Sequence, residues 1–278
     1  MYKRVLTIQD ISCVGQCSLT VALPVLSACG QETCILPSAV LSTHTGGFSG
    51  FTFRDLTEDI PGIWQHWKKE NIGFDYIYTG YLGSILQIGY MKDLFAAFAD
   101  GNCKTVVDPA MGDHGKLYSL FDQAYADAMA GLCAQADIMI PNITEACFMT
   151  GHPYQENYDE AYVDELLAKL GQLGKGIVVL TGVGYSPEQT GVVIYQNGKK
   201  WHYVHAKESK SYHGTGDIFA AAFVGAVAGG KTMERAAAIA AEYVALCIRK
   251  TLNDDKHWYG VKFETAIPEL VEMLKSEE

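Results

Sequence analysis

The sequence predicts an α/β fold with a mostly parallel central sheet, and two observations carry that prediction. Short runs rich in β-branched residues alternate with longer segments of helical periodicity. This alternation continues as far as residue 180, as is typical of parallel strands joined by crossover helices. The predicted strands are 5–9, 33–36, 76–78, 105–107, 138–140 and 177–180, and the predicted helices between them are 18–28, 60–71, 85–99, 121–134 and 158–173.

The last third of the chain has a different pattern. Two strand-like runs flank Asn197-Gly198, which is a strong signal for a two-residue hairpin turn. Two Ala-rich segments with helical periodicity follow. We therefore expect a C-terminal β-hairpin and then a pair of closely packed helices. These four segments are 191–195, 200–205, 217–228 and 232–250.

Composition bounds the domain count and excludes several classes of function. The formal net charge is −11 and no run of Lys or Arg occurs, which argues against nucleic acid as a partner. No apolar stretch reaches the roughly 18 uncharged residues that a membrane helix needs. With 49% hydrophobic residues and no repeat or linker, we expect one domain over residues 1–278, with a small flap at 40–53.

The eight cysteines are expected to be reduced and buried. The sequence begins Met-Tyr-Lys-Arg and passes directly to a strand, without the apolar region of a signal peptide, so we expect a soluble cytoplasmic protein. The cysteines form no Cys-x-x-Cys pair or Cys/His cluster with the spacing of a zinc site. Neither disulfides nor zinc are predicted.

A glycine-rich turn opens directly onto a helix at residues 213–221, His-Gly-Thr-Gly-Asp-Ile-Phe-Ala-Ala. The first N–H groups of a helix lack internal partners and, with the macrodipole, attract anions. Glycines also let a phosphate approach the backbone, so Gly214, Thr215 and Gly216 form a candidate anion site. Asp217 follows at the helix start, where the local sequence is equally compatible with a helix cap and with a catalytic base.

Two acidic segments follow predicted strands. Asp-Pro-Ala-Met-Gly-Asp occupies 108–113, and Pro-Asn-Ile-Thr-Glu occupies 141–145. Ligands bind at the carboxyl ends of strands in open α/β sheets, and Mg²⁺ takes few protein oxygens together with phosphates and water. Taken singly, Asp108 is typical of a turn before proline and Glu145 of a charge in a first helical turn. Together with the glycine turn, they indicate a metal and phosphate site.

In combination these motifs resemble the ribokinase-like superfamily, and within it the pyridoxal kinases. Gly-Thr-Gly-Asp, Asp-Pro-x-x-Gly-Asp and Pro-Asn-x-x-Glu carry the resemblance to the superfamily. Thr-His-Thr-Gly at 43–46 and Thr-Gly-Tyr at 79–81 carry the closer one. The motifs occur in family order over nearly the whole chain. The resemblance implies a three-layer α/β/α sandwich, a kinase that uses ATP and Mg²⁺, and a homodimer; whether a monovalent cation is required stays open.

The resemblance also implies a role for each matching residue. Asp217 would draw the proton from the substrate hydroxyl, beside an anion hole made by residues 214–216. Phosphoryl transfer depends on positioning and charge neutralisation more than on covalent help, which suits backbone N–H groups and Mg²⁺. The resemblance assigns Asp108 and Glu145 to the metal region and Asp113 to the γ-phosphate region. It assigns Asn142 and Thr181 to the nucleotide phosphate region. The implied vitamin B6 pocket contains Asp10, His44, Thr45 and Tyr81.

Two pocket residues have structural alternatives. His44 lies in a turn, where a histidine often only ties the backbone together, so its contact with ligand stays open. Asp10 stands where pyridoxal kinases often have serine, and is either a turn residue or a carboxylate that faces the substrate. A carboxylate would favour the cationic aminomethyl group of pyridoxamine, so pyridoxamine is the predicted preferred vitamer.

Residues 225–232, Gly-Ala-Val-Ala-Gly-Gly-Lys-Thr, match the spacing of a P-loop. A P-loop must follow a buried strand, whereas this segment ends a predicted helix. Gly229-Gly230 is better interpreted as a helix end and Thr232 as the N-cap of the next helix. No Gly-x-Gly-x-x-Gly follows the first strand, which argues against a nicotinamide cofactor.

The sequence as a whole predicts a kinase that transfers the γ-phosphate of ATP to the 5′-hydroxymethyl group of pyridoxal, pyridoxine or pyridoxamine. One alternative is a hydroxymethylpyrimidine kinase, which performs the same chemistry on another aromatic hydroxymethyl compound. Another is a non-catalytic protein that binds B6 vitamers on the same fold. The presence of Asp217 and of both acidic segments argues against the non-catalytic alternative.

Overall fold

The computed structural model describes residues 2–98 and 101–276, and it divides the chain into two compact units. Unit 1 is Met1–Gly83 with Glu208–Glu278, and unit 2 is Ser84–Lys207. Both contain parallel strands and helices, which confirms the predicted α/β class. Among the described residues, no helix is both long and apolar enough to cross a membrane. That the chain forms one domain stays a prediction.

The strands of unit 1 form a sheet with the first strand of the chain at its centre. This strand pairs in parallel with the second and the fourth, while the short third strand runs antiparallel to the second. The first strand is almost wholly buried, as expected for a parallel strand covered on both faces. The strands are β1 (Arg4–Ser12), β2 (Glu32–Leu41), β3 (Phe53–Asp55) and β4 (Tyr76–Thr79).

The helices of unit 1 include the two Ala-rich segments predicted from the sequence. The first of these is buried from Ile218 through Ala228, because its small side chains allow close packing against neighbouring helices. The candidate flap at 40–53 spans the end of β2, the loop 42–52 and the start of β3. The helices are α1 (Leu19–Ala28), α2 (Ile60–Lys69), α7 (Thr215–Ala228), α8 (Met233–Thr251) and α9 (Ile267–Lys275), the last preceded by a 3₁₀ turn (Phe263–Ala266).

The main sheet of unit 2 has parallel strands at one side and the predicted hairpin at the other. The order is β5, β8, β9, β10, β11. The first three strands are parallel to one another, β10 is antiparallel to β9, and β11 is antiparallel to β10. The strands are β5 (Lys104–Val107), β6 (Gly112–Asp113), β7 (Lys116–Leu117), β8 (Ile138–Met139), β9 (Ile177–Thr181), β10 (Gln189–Gln196) and β11 (Lys199–Ala206), and the helices are α3 (Ile85–Phe98), α4 (Gln123–Cys133), α5 (Ile143–Thr150) and α6 (Glu160–Leu173).

Two local predictions are confirmed by backbone geometry. Asn197 and Gly198 connect β10 to β11 with φ of 52° and 78°, the positive values that a type I′ hairpin turn requires. The P-loop-like segment runs from the end of α7 into α8, where the Thr232 hydroxyl accepts the N–H of Arg235 as an N-cap. A helix, α7, leads directly into this segment where a P-loop requires a strand, so the segment has the wrong context for a P-loop.

Several short elements were not predicted. These are β3, the β6/β7 hairpin, α5 and α9. They span few residues each, so periodicity gives little signal. The first residues after β8 were assigned to the acidic segment, although they start α5. The predicted helix 85–99 matches α3 through Phe98, and its last residue lies outside the described residues.

Candidate active site

Asp217 occupies the third position of α7, in unit 1. Its Oδ2 accepts the backbone N–H of Ser18 at 3.0 Å, and it does not cap its own helix. The residue is half-buried. Burial raises the pKa of Asp217 to about 7; the Ser18 N–H opposes the rise and the charge of Asp10 adds to it. A carboxyl group with a pKa near 7 can accept a proton at neutral pH, as a general base must.

The glycine turn before Asp217 has the backbone geometry of an anion site. Gly214 has a φ of 80°, and a Cβ there would collide with the carbonyl of Gln16, so only glycine fits. The Thr215 hydroxyl donates to the carbonyl of Tyr212 at 3.2 Å, which closes the turn. α7 begins at Thr215, so its first N–H groups, which have no partner within the helix, lie in this turn.

Asp10 lies near the end of β1, at an irregularity of the sheet. The β1–β2 register shifts there, so that Asp10 faces two residues of β2, Ser38 and Ala39. Such bulges often redirect a side chain beside an active site. Asp10 is only 5% exposed, and its Oδ2 accepts the Ser12 hydroxyl at 2.8 Å. Burial raises the pKa of Asp10, while the hydroxyls of Ser18 and Ser12 act in the opposite direction.

Ser18 has an unusual backbone for a residue with a side chain. Its φ is 54° and its ψ is −133°, a region that glycine favours and that costs other residues about 1–3 kcal/mol. Ser18 precedes α1 at the N-cap position, yet its hydroxyl makes no capping hydrogen bond. The hydroxyl instead stabilises the ionised form of Asp10 and lowers its pKa, while the N–H donates a hydrogen bond to Asp217.

Tyr81 and Thr45, the other predicted pocket residues, differ in their surroundings. Tyr81 is half-buried, and burial, together with the charges of Asp10 and Asp55, raises its pKa to about 12. Its phenol is therefore neutral at physiological pH. Thr45 is exposed on the loop between β2 and β3.

His44 ties the 42–52 loop to the C-terminal part of unit 1. Its Nε2 donates to the carbonyl of Tyr259 at 2.7 Å, and its Nδ1 accepts the N–H of Gly46 at 3.0 Å. Burial lowers the pKa of His44, which keeps the ring neutral. At Gly46 a Cβ would lie 2.7 Å from the His213 ring, so the loop passes directly under that side chain. Both nitrogens of His44 are thus engaged with backbone, which favours the backbone-tying alternative.

In unit 2, Glu145 braces the acidic loop that follows β5. Its Oε1 accepts the N–H of Met111 at 3.0 Å, and its Oε2 accepts the N–H of Asn142 at 2.8 Å. It forms a capping box with Asn142 at the start of α5, so the predicted first-turn position is correct. Glu145 is 3% exposed, and burial raises its pKa to about 7 despite the backbone N–H groups.

The other predicted residues of unit 2 surround the same loop. The Asn142 amide donates to the carbonyl of Gly112 at 2.8 Å. Thr181, at the end of β9, forms an isolated parallel bridge with Asn142. Asp108 is buried and its Oδ1 accepts the N–H of Ala110 at 3.2 Å, whereas Asp113 is exposed in the β6/β7 hairpin. The structure therefore brings this predicted group together at the carboxyl ends of β5, β8 and β9.

The fit of a magnesium ion can be assessed from the carboxylates of unit 2. No group of three or more His, Cys, Asp or Glu with metal-site geometry occurs in the described part of the chain. Mg²⁺ in kinases needs only one or two protein carboxylates, since phosphates and water complete its shell. Asp108 and Glu145 are both buried, and a cation would favour the ionised form of Glu145. These residues fit a magnesium ion that is shared with a nucleotide.

Ser18 and Ser12 were missed by the sequence analysis. Ser18 was assigned only to the start of the first helix, and its partner Asp217 is 199 positions away in the sequence. No local pattern indicates that contact. The capping box, in contrast, was visible as Asn142-x-x-Glu145, and would have predicted α5.

Comparisons with known proteins identify the family of this chain. The phosphomethylpyrimidine kinase family model matches residues 67–262. A candidate phosphomethylpyrimidine kinase from Bacteroides thetaiotaomicron, crystallised with pyridoxal, is 34% identical with a TM-score of 0.91, over 96% of this chain and 95% of that one. The pyridoxal kinase of Lactobacillus plantarum is 31% identical with a TM-score of 0.90, over 98% and 97%.

A curated relative extends the similarity beyond bacteria. A candidate pyridoxal kinase of Caenorhabditis elegans is 27% identical over 241 residues, which is 80% of this chain and 73% of the relative. The structural likeness confirms the predicted ribokinase-like fold. The chain belongs to the phosphomethylpyrimidine kinase family of ribokinase-like proteins and is a phosphotransferase that acts on an alcohol group.

Proposed function

We propose that this protein phosphorylates the 5′-hydroxymethyl group of a vitamin B6 vitamer at the expense of ATP. The observation that carries the proposal is the Asp217 carboxyl group, which has a pKa near 7 and stands directly after the glycine turn. The predicted function is supported by the pyridoxal kinases among the relatives and by the relative that was crystallised with pyridoxal.

Asp217 acts as the general base in this proposal. Its carboxylate accepts the proton of the substrate hydroxyl as the oxygen attacks the transferring phosphoryl group. The N–H groups at the start of α7 stabilise negative charge on that group, because they are fixed in place and need no reorganisation. Tyr81, which the family resemblance assigns to the vitamin B6 pocket, is neutral at physiological pH.

The nucleotide residues proposed in unit 2 are Asn142, Thr181 and Asp113. Asp108 and Glu145 would hold the magnesium ion, which when bound neutralises charge on the phosphates. The Glu145 carboxylate also fixes the backbone of Met111, so it shapes the acidic loop. Removal of Glu145 should therefore affect both the fold of this loop and the magnesium requirement.

A hydroxymethylpyrimidine kinase is the second candidate function. The matching family model, which is described as phosphomethylpyrimidine kinase, specifically favours it. Both candidate substrates are flat heteroaromatic rings with a hydroxymethyl group, so the same base and anion site serve either one. What separates them is the pocket, where Asp10 replaces the serine typical of pyridoxal kinases.

A coupled ADP-release assay tests the proposal. Pyridoxal, pyridoxine, pyridoxamine, hydroxymethylpyrimidine and ribose are compared at fixed ATP and Mg²⁺, with Asp217→Asn as the control for contaminating kinases. We expect the highest kcat/KM with a B6 vitamer. Mass spectrometry then identifies the product as the 5′-phosphate. A higher kcat/KM with hydroxymethylpyrimidine would favour the second candidate, and turnover with none of the compounds would contradict both.

The preferred vitamer, the assembly and the location stay predictions. Asp10 is expected to favour pyridoxamine, and Asp10→Ser to shift preference toward pyridoxal by at least about tenfold. The same assay with the three vitamers measures that ratio. A homodimer and a cytoplasmic location are proposed from the family resemblance and the sequence; light scattering and cell fractionation measure them. Omission of K⁺ from the assay determines whether a monovalent cation is needed.

A further inference from the structure

Ser18 interacts with the carboxyl groups of both Asp217 and Asp10. Its N–H donates to Oδ2 of Asp217 at 3.0 Å, and its hydroxyl lowers the pKa of the Asp10 carboxyl group. Serine is a favoured N-cap residue because its hydroxyl usually accepts a backbone N–H of the first helical turn. Here the hydroxyl makes no capping hydrogen bond with α1, and it interacts with Asp10 instead.

The backbone of Ser18 is held in a conformation that serine avoids when unconstrained. With φ at 54° and ψ at −133°, the residue occupies a region in which a Cβ is unfavourable. This conformation directs the N–H toward Asp217. Asp10 is itself fixed at the β1–β2 bulge and by Ser12, so the interaction of the Ser18 hydroxyl with this carboxyl group provides an anchor for the peptide in that orientation.

We propose that Ser18 is a positioning residue for the proposed phosphoryl transfer: its N–H orients the Asp217 carboxylate, and its hydroxyl anchors that N–H to Asp10. The inference rests on the proposed role of Asp217 as the base. In the same arrangement the negative charge of Asp10 increases the basicity of Asp217, because two like charges in a partly dry site disfavour ionisation of both.

The groups that act on the two carboxyl groups come from several segments of unit 1. The thiol of Cys17 is neutral, because burial raises its pKa well above the usual value and the two carboxylates add to the rise. His44 is neutral and interacts with Asp10, and Tyr81 is neutral as well. The proton affinity of Asp217 is therefore set by burial, by the Ser18 N–H and by Asp10.

Four variants test the proposal, and the titration of Asp217 is read by carboxyl ¹³C NMR, with the signal assigned through Asp217→Asn. Ser18→Ala removes the anchor but keeps a Cβ, so the peptide relaxes and the N–H leaves Asp217. Ser18→Gly also lacks the hydroxyl, but glycine adopts the positive φ freely. Asp10→Asn keeps a hydrogen-bond acceptor for Ser18 and removes the charge. Ser12→Ala is the matched control, since it removes a hydroxyl from Asp10 without touching the Ser18 N–H.

The variants are expected to shift the pKa of Asp217 in opposite directions. Ser18→Ala should raise it and Asp10→Asn should lower it, each by about one pH unit, while Ser18→Gly stays close to wild type and Ser12→Ala does not raise it. In the kinase assay, Ser18→Ala should lower kcat about tenfold relative to Ser18→Gly, with KM for ATP unchanged.

An unchanged titration of Asp217 in both Ser18→Ala and Asp10→Asn would overturn the proposal, as would equal shifts in Ser18→Ala and Ser18→Gly. A simple helix-cap role would alter thermal stability without moving this titration. If Ser18→Ala does not fold, the proposal is tested by the other two variants. It then requires that the pKa of Asp217 shifts in Asp10→Asn and does not shift in Ser18→Gly. The titration of Asp217 needs no substrate, so it tests the positioning role independently of the proposed function. If the expected pKa shifts occur but the protein does not phosphorylate a B6 vitamer, the positioning role is supported and only the proposed function is contradicted.

Discussion

The third residue of both α5 and α7 is a carboxylate, buried in α5 and half-buried in α7. The two side chains differ in their hydrogen-bond partners. Glu145 of α5 accepts two N–H groups, one of them from its own N-cap, and holds a loop in place. Asp217 of α7 turns away from its own helix and accepts one N–H from Ser18. Burial raises both pKa values to about 7. A raised pKa therefore does not identify a catalytic base, whereas the hydrogen-bond partners distinguish a brace from a base.

The largest effect on activity is expected for Asp217→Asn, which tests whether Asp217 is the base. The amide keeps the shape of the side chain but cannot accept a proton, so kcat should fall by about 10²–10⁴. The affinity for ATP, measured by calorimetry, should change only a few-fold, because Asp217 is not among the proposed nucleotide residues. A variant that kept more than a tenth of the wild-type kcat would show that Asp217 is not the base.

The pH dependence of activity distinguishes the two carboxylates next. The base must be ionised, and with a pKa of about 7 for Asp217 only about a hundredth of it is ionised two pH units below. The base is half ionised at pH 7, so we expect kcat/KM for the acceptor to fall roughly fiftyfold between pH 7 and pH 5, as the free enzyme takes up this proton. A profile that is flat between pH 5 and pH 8 would contradict a base with this pKa.

Glu145→Gln should mainly affect stability and magnesium use. One of the two N–H donors, from Met111 or Asn142, would then face an NH₂ group, so the free energy of unfolding should decrease by about 1–3 kcal/mol at pH 5. At that pH the raised pKa keeps the carboxyl group of Glu145 protonated, so the substitution removes no buried charge. The magnesium concentration for half-maximal activity should rise. Urea unfolding and a magnesium titration measure these effects.

The matched control for this change is Glu165→Gln, which removes the same charge from an exposed position of α6 in the same unit. It should change neither the free energy of unfolding nor the magnesium requirement. Equal behaviour of the two variants would mean that Glu145 is neither a brace nor a metal residue.

The smallest effect is expected for Lys231→Ala. Lys231 belongs to the P-loop-like segment, but its Nζ donates to the carbonyl of Ser276 at 2.6 Å, at the end of α9. Its removal should change kcat/KM for ATP by less than about twofold, as for most substitutions remote from a site. A hundredfold loss would revive the P-loop interpretation and displace the glycine turn of α7 as the phosphate site.

The sequence was sufficient to predict local structure wherever the residues involved are contiguous in the chain. The turn before Asp217, the Asn197-Gly198 hairpin and the N-cap at Thr232 depend on neighbouring residues, and the structure confirms their local geometry. The link from Ser18 to Asp217 depends instead on the packing of α1 beside α7. The two backbone bonds of His44 likewise depend on a partner, Tyr259, that is distant in sequence. Contacts of this kind have no local pattern, because tertiary packing alone creates them.

The cysteines allow one site to be labelled without any engineering. Cys13 is exposed, so the prediction that all eight cysteines are buried is wrong for this residue, whereas the other seven are half-buried or buried. Burial raises the pKa of Cys29 and of Cys247 to about 12, and the thiolate is the form that reacts with alkylating reagents. A maleimide dye added briefly at neutral pH should therefore attach first at Cys13, just beyond the end of β1. The wild-type protein then carries a fluorescent reporter three residues from Asp10, close enough to follow substrate binding in real time.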